Sequence, residues 1–516
     1  MAEEPRIRFV DTTRQAGLLE PLAGMMAHAA AWGDVDGDGD LDLYVGGFGD
    51  RPDDEYRPAP GPVPNRLLRN LSDGRFEPIV SEAVEFVGRT TDAAFVDLDN
   101  DGLIDLFVAS NTRTSGLAPG PRREAQQRRP ILFRNDGDAF IVVTDAGGEC
   151  LTAAGSARGI GVLDHDADGL LDLLVLEDRF GAPPRSRLCR NLGDFRFEDV
   201  TSEAGLPGDL FGLGLAIADV NDDGRPDIFV SHSNRLFLSA GDGTYVEPPG
   251  PKRTLAWEPL DAEDWPAGAA FGDLNRDGRL DLVVGIHHDR ARNRVYLNEG
   301  LEGGVPRFRD VSADVGMPAR LTTKAPHVEI QDFDNDGWPD IYFSTAWQDA
   351  AGVATPLVFR HLGIRDGLPR FEAVRPMPDA WPSVYFPAGP SADYDGDGRV
   401  DLFLANWFQG NHSRLLRNES PSGRWLQVRV LGQTTNRMGI GAKVRVYKAG
   451  ALDRPSGLLG FQEIGTGHGY ASGQPAVAHF GLGREAVVEV AITFPDGSRS
   501  VLTDVATDRR LTAAAP

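Results

Sequence analysis

Apolar positions in this chain fall in short runs without a helical period, and one class of run is always entered from the same acidic loop. Leu43-Tyr44-Val45 and Leu402-Phe403-Leu404 are two such runs, each following a D-x-[DN]-x-D-G-x-x-D segment. The segment occurs seven times, at residues 34–42, 97–105, 164–172, 219–227, 273–281, 332–340 and 393–401. The starts lie 63, 67, 55, 54, 59 and 61 residues apart, the footprint of one repeated supersecondary unit. In phase with the loop comes a run ending near Arg-Asn, then a Gly-rich turn and an aromatic. Examples are Arg66-Leu-Leu-Arg-Asn70 then Phe76, Arg187-Leu-Cys-Arg-Asn191 then Phe197, and Arg294-Val-Tyr-Leu-Asn298 then Phe308. The unit reads as four short strands: A before the loop, B after it, C at the Arg-Asn segment and D at the aromatic. Seven such antiparallel units predict an all-β chain with a seven-bladed β-propeller.

The D strands open at Phe76, Phe140, Phe197, Tyr245, Phe308 and Phe371, and the seventh unit has none. Phe9-Val-Asp-Thr12 matches Phe197-Glu-Asp-Val-Thr201, so the N-terminal segment is expected to complete the seventh blade and leave no open edge. From about Gly423 the pattern changes to alternating strands such as Trp425–Val430, Ala442–Tyr447 and Val487–Ile492. Residues 1–420 are therefore expected to form the propeller, and 421–516 a small β-sandwich-like domain packed against it.

The loops carry recognisable chemistry. Oxygen side chains at positions one, three, five and nine, with a carbonyl at seven, surround a hard cation, and Gly at position six takes the sharp turn. The expected ligands are Asp34, Asp36, Asp38, Asp40 (carbonyl) and Asp42; Asp97, Asp99, Asp101, Leu103 (carbonyl) and Asp105; Asp164, Asp166, Asp168, Leu170 (carbonyl) and Asp172. The later loops offer Asp219, Asn221, Asp223, Arg225 (carbonyl) and Asp227; Asp273, Asn275, Asp277, Arg279 (carbonyl) and Asp281. The last two offer Asp332, Asp334, Asp336, Trp338 (carbonyl) and Asp340; and Asp393, Asp395, Asp397, Arg399 (carbonyl) and Asp401. So many carboxylates favour Ca2+ over Mg2+, about seven ions in all, with Asn221 and Asn275 weakening the fourth and fifth sites.

Flanks such as Ala31-Trp-Gly-Asp34 resemble the FG-GAP or VCBS repeats of integrin α-subunit propellers. Gly439-Ile-Gly-Ala-Lys-Val444, Gly467-His-Gly-Tyr470, His479-Phe-Gly-Leu-Gly483 and Phe494-Pro-Asp-Gly497 resemble the ASPIC/UnbV domain of the cartilage-acidic-protein-1-like (CRTAC1-like) family. Ser472-Gly-Gln474 departs from the adjacent Ser-Gln usual there. The resemblance implies calcium sites and adhesion or ligand binding; some relatives are encoded among enediyne and other natural-product genes.

The net charge of −25 argues against nucleic acid or an anionic membrane as partner, although seven divalent cations would bring it to about −11. No segment is apolar for the length of a membrane span. A native start at Met1 would place the chain in the cytoplasm, and a removed leader would place it outside the membrane. Cys150 and Cys189 neither require nor exclude a disulfide. Four Lys against 48 Arg point to a GC-rich bacterial genome.

Antiparallel order puts the acidic turns and C–D turns on one rim and the longer B–C and D–A connections on the other, where recognition or catalysis is expected. Strand A starts bring His28, Asp92, Arg158 and His327 there. B–C loops bring Arg113, Asp178, Arg179, His232, His287, His288, Asp289, Trp347, Trp407 and His412. The principal catalytic candidates are His28, Asp92, Arg158, His232, His287, His288 and His327. His479 reads as a structural histidine, and Asn418-Glu-Ser420 fits a glycosylation pattern. No nucleophile elbow, Walker loop, H-E-x-x-H or C-x-x-C is present. Two functions remain: a calcium-binding module whose long-loop rim recognises a protein, glycan or small ligand, or a natural-product enzyme that uses that rim to promote a cyclisation or rearrangement.

Overall fold

The computed structural model describes residues 6–111, 130–144, 150–151, 155–180, 183–261, 264–288, 292–317, 324–348, 354–377 and 386–516. The fold is all-β, and its helical content among the described residues is slight, chiefly the six-residue turn Pro249–Thr254. Among the described residues, seven sheets follow one another, each with antiparallel strands in the order A-B-C-D around one acidic loop. In the first, Ala27–Gly33, Asp42–Gly47, Arg66–Asn70 and Phe76–Pro78 pair in sequence. Strand A of the first, fourth and fifth sheets, Ala27–Gly33, Gly212–Ala218 and Pro266–Gly272, is rich in Ala and Gly, which lets innermost strands of neighbouring sheets pack side by side. The sheets are the blades of a β-propeller.

The seam closes as the sequence implies. Phe9–Asp11 pairs antiparallel with Arg414–Asn418 as the outermost strand of the last sheet, with Phe9 opposite Asn418. Adjacent sheets are stitched by the residue that ends strand C. The Asn135, Asn191, Asn298 and Asn418 side chains donate to the carbonyls of Val35, Leu98, Val220 and Phe333, each the second residue of the preceding acidic loop. His361 does the same to Leu274, and Asn70 reaches Tyr394 across the seam. Asn418 is therefore fully buried, which removes it as a glycosylation acceptor.

Cys150 and Cys189 form a disulfide that ties the segment before the third blade to its strand C. The C-terminal residues form two further sheets. Arg424–Leu431 sits between Ala478–Gly483 and Arg509–Ala514; Lys443–Lys448 lies between Leu458–Glu463 and Val487–Thr493, beside Arg499–Ala506. Val428, Val430, Val444, Val446, Val490 and Ile492 fill the space between these sheets.

Candidate functional site

Each acidic loop has one backbone design. Position six is glycine with φ between 82° and 96°, and its N–H donates to the position-one carboxylate. Position four is also left-handed in all seven loops (Gly37, Asn100, Ala167, Asp222, Arg276, Asn335, Gly396), a feature the sequence pattern did not reveal. The position-nine Asp is buried throughout. It accepts the N–H of position two with one oxygen and the N–H ending strand C with the other, at 2.7–3.2 Å. Asp42, Asp105, Asp172, Asp227, Asp281, Asp340 and Asp401 thus brace the fold as well as facing the loop. Burial raises the carboxyls of Asp42 and Asp105 to about 7 and that of Asp227 to about 8, a cost that a neighbouring cation would offset.

The donor sets suit a hard cation in most loops. Asp34, Asp36 and Asp38 converge, as do Asp97, Asp99 and Asp105, Asp164, Asp166 and Asp168, and Asp332, Asp334 and Asp336. One buried carboxylate oxygen has no hydrogen-bond partner in each of five loops: Oδ1 of Asp34, Asp97, Asp166, Asp334 and Asp393. The fourth and fifth loops leave no such oxygen, and the Asn221 and Asn275 amides donate to Asp223 and Asp277 at 3.0 and 2.9 Å. An arginine shadows every loop. It comes from strand C in four (Arg69, Arg134, Arg190, Arg360) and from position seven in three (Arg225, Arg279, Arg399).

The C-terminal sheets dock on this acidic rim. Arg429 faces Asp34, Arg437 N–H donates to Asn100, Lys443 pairs with Asp219 and Asp222, His479 meets Asn335 at 2.8 Å, and Arg510 lies beside Asp393. His479 is thus a docking contact. Between the two faces lies a cavity of about 390 Å3, lined among others by Asp34, Ile217, Phe271, Asp393, Gln427 and Phe461.

From this docked domain, residues 465–475 descend into the channel. Gly469 N–H donates to Leu215 and Ala269 carbonyls, Ser472–Gly473 pairs parallel with Ala30–Ala31, and Gln474 reaches the buried Glu329. The fit is close: a Cβ on Gly214 would stand 1.9 Å from Gly469 O, and one on Gly469 2.3 Å from His327 Nδ1. His327 grips the plug here. Its Nδ1 accepts the Tyr470 N–H and its Nε2 bonds Glu329 at 2.9 Å, inside the channel and away from the rim loops.

At the plug's tip, the Tyr470 hydroxyl meets His28 Nε2 at 3.2 Å. His28 Nδ1 lies 3.2 Å from the Thr91 carbonyl, an acceptor, so Nε2 is the lone-pair nitrogen and Tyr470 is the donor. Burial first, then Arg158, hold His28 well below its usual value. Arg158 is paired with Asp178 at 2.6 Å and acts electrostatically on His28, Tyr470, His232 and His287 together. Aromatic rings surround this centre. His28 stacks on Phe48 at 4.7 Å and meets Trp407 edge-on; His287 stacks on Trp265 at 5.3 Å; His232 packs among Phe180, Phe211 and Trp265. His232 is 6 % exposed, has φ +74°, and neither ring nitrogen has a hydrogen-bond partner. Arg51, Arg89 and Arg179 lie over Trp407, Phe48 and Phe211.

The structure thus gathers His28, Arg158, Asp178, Arg179, His232, His287 and Trp407, and separates four other candidates from them. Asp92 is a brace, its two oxygens taken by the Ala93 and Ile160 amides, because a buried carboxyl needs such donors. His288 turns to Asp261 and His327 to the plug. His412 is half-buried near Arg414. Arg113, Asp289 and the Trp347 side chain lie outside the described residues. Tyr470, Phe48, Phe180 and Trp265 were missed; an in-phase aromatic count after strand B would have exposed Phe48 and Phe180, and no local signal marks Tyr470.

FG-GAP-like repeat models match residues 34–108, 164–230, 231–284 and 273–343, and the model described as ASPIC and UnbV matches 432–516. Cartilage acidic protein 1 of Mus musculus is 29% identical over 496 residues, covering 91% of this chain and 71% of its own length. The Homo sapiens protein of that name is 28% identical over 485 residues, covering 90% and 68%. Integrin alpha-3 of Cricetulus griseus is 26% identical over 169 residues, 29% of this chain and 15% of its own. With FG-GAP-like repeats forming the blades and an ASPIC and UnbV domain seated on their acidic rim, the chain is homologous to cartilage acidic protein 1 over about 90% of its length.

Proposed function

We propose that the protein is a calcium-rigidified recognition module. Residues 1–420 supply the binding rim, and residues 421–516 clamp the acidic rim and close the channel floor. The observation that carries the reading is the Arg158 centre, where one guanidinium stands among Tyr470, His28, His232 and His287 inside a ring of aromatics, of which Phe180 is exposed and Phe211, Trp265 and Trp407 are partly exposed. In a chain of net charge −25, this mouth is lined by Arg51, Arg89, Arg158 and Arg179 against Glu55, Asp50 and Asp178. Such a surface favours an anionic ligand with a flat or apolar ring face, whether a small molecule, an acidic glycan or a side chain of a protein partner. The FG-GAP repeats and the integrin likeness support binding as the general role. Among the described residues no helix is long and apolar enough to cross a membrane.

Calcium at the acidic loops would fix the turns that hold strands A and B in register, and the five orphaned carboxylate oxygens support that assignment. A second reading, natural-product enzyme, draws on one observation. The Tyr470 hydroxyl, donated to a neutral His28 beside Arg158, is a pair able to deliver and recover a proton. The test is calorimetric titration of the calcium-loaded protein with aromatic carboxylates, uronic-acid oligosaccharides and acidic peptides, repeated on Arg158→Gln. Binding by one class that Arg158→Gln weakens at least tenfold supports the module. Equal binding by both proteins would discard the Arg158 centre, and turnover of the bound compound that Tyr470→Phe abolishes would make the enzyme reading primary.

A further inference from the structure

We infer that the fourth acidic loop takes no divalent cation and is closed instead by an ammonium group from the C-terminal domain, the Lys443 side chain. The inference rests on the calcium reading of the other loops. Lys443 opens the strand Lys443–Lys448, is 6% exposed, and sets Nζ 2.5 Å from both Asp219 Oδ2 and Asp222 Oδ1. Asp219 is position one of its loop, the residue whose Oδ1 stays orphaned in the first, second and seventh loops. Here no oxygen remains free. Oδ1 accepts the Asp223 N–H at 2.9 Å, and Oδ2 accepts both the Gly224 N–H and the ammonium.

The rest of the loop agrees. Position three is Asn221, whose amide donates to Asp223 Oδ2 and fills a site that a cation would need from the other side. Arg225 pairs with the same carboxylate from outside. Glu463 accepts the Asp219 backbone N–H at 3.0 and 3.2 Å, so Lys443 sits among three carboxylates. An ammonium is a compact point charge with three donors; a calcium ion seeks six or more oxygens, and the two would compete for Asp219 at like-charge distance. The fifth loop repeats the Asn closure through Asn275 and Asp277 but shows no lysine on Asp273, so the exchange is specific to the fourth. The fourth loop is thereby a calcium-independent latch between the C-terminal domain and the propeller.

The experiment is native mass spectrometry of the full chain titrated with calcium, comparing the parent with Asp223→Ala, Lys443→Met and the double variant. Asp223→Ala is expected to bind as many ions as the parent, Lys443→Met one more, and the double variant again the parental number. Loss of one ion from Asp223→Ala, with Lys443 in place, overturns the inference while leaving the calcium reading intact. So does a folded Lys443→Met, by circular dichroism, that gains none. If Lys443→Met does not fold, the Asp223→Ala arm decides alone. A parent that binds no calcium overturns both this inference and the calcium reading on which it rests.

Discussion

Phe9→Ala tests whether the N-terminal strand fastens the ring. Phe9 is fully buried, lies edge-on to Phe333 at 5.7 Å, and shares a cluster with Ile7, Leu402, Leu404 and Leu416. Truncating a buried Phe to Ala costs about 3–5 kcal/mol, and the aromatic pair adds about 1 kcal/mol. The backbone pairing from Phe9 to Asp11 and the Asp11–Arg414 ion pair survive the change, so the total stays near 4–5 kcal/mol. A cooperative unit of about 400 residues, at roughly 2 cal/mol/K of unfolding entropy per residue, converts that into a Tm lower by about 5 °C. Scanning calorimetry reads the shift, and limited proteolysis with mass mapping should find new cleavage near residues 404–418. Ile141→Ala, at a half-exposed D-strand position of the second blade, is the control and should move Tm by under about 1 °C. A Phe9→Ala protein that melts within 1 °C of the parent and resists the protease would refute closure by this strand.

Three other outcomes are expected. Chelation should lower Tm, and added calcium should restore it, by about 2.7 kcal/mol for each site held at a hundredfold excess over Kd; an unchanged melt would remove the cations from the acidic rim. His232 and His287 are both pushed down to about 3, by burial first and then by Arg179 for His232 and Lys324 for His287. They stay neutral in the fold but protonate in the unfolded chain, so stability falls as pH drops from about 6.5 toward 3. Chemical denaturation of His232→Phe across that window should show a slope shallower by about 1.4 kcal/mol per pH unit, and parallel profiles would mean that His232 does not titrate this way. Reducing the Cys150–Cys189 bond, which closes a separation of 39 residues, should cost up to about 4 kcal/mol; a reductant-insensitive melt would count against the bond as a brace.

Local spacing in the sequence was enough for the repeats, the strand order, the seven acidic turns and the closing strand at Phe9–Asp11. The reason is that each blade solves the same problem within some sixty residues: an apolar strand, a Gly-dependent turn and an Arg-Asn end recur in register, so the pattern is read without knowing what lies beside it. The buried Asp at position nine already belonged to that pattern, though its bracing of two backbone amides did not show. The tertiary structure alone decided which side chains meet. Tyr470 reaches His28 across 442 positions, His479 reaches Asn335 across 144, and Lys443 reaches Asp219 across 224, each through a docked domain with no sequence period shared with the blades. Asp92 and His327 looked like rim residues because strand position fixes only which end of the channel a residue lies near. Which hydrogen-bond partners fill a buried carboxyl or imidazole depends on the neighbouring blade and on the plug, and that made the one a brace and the other a grip.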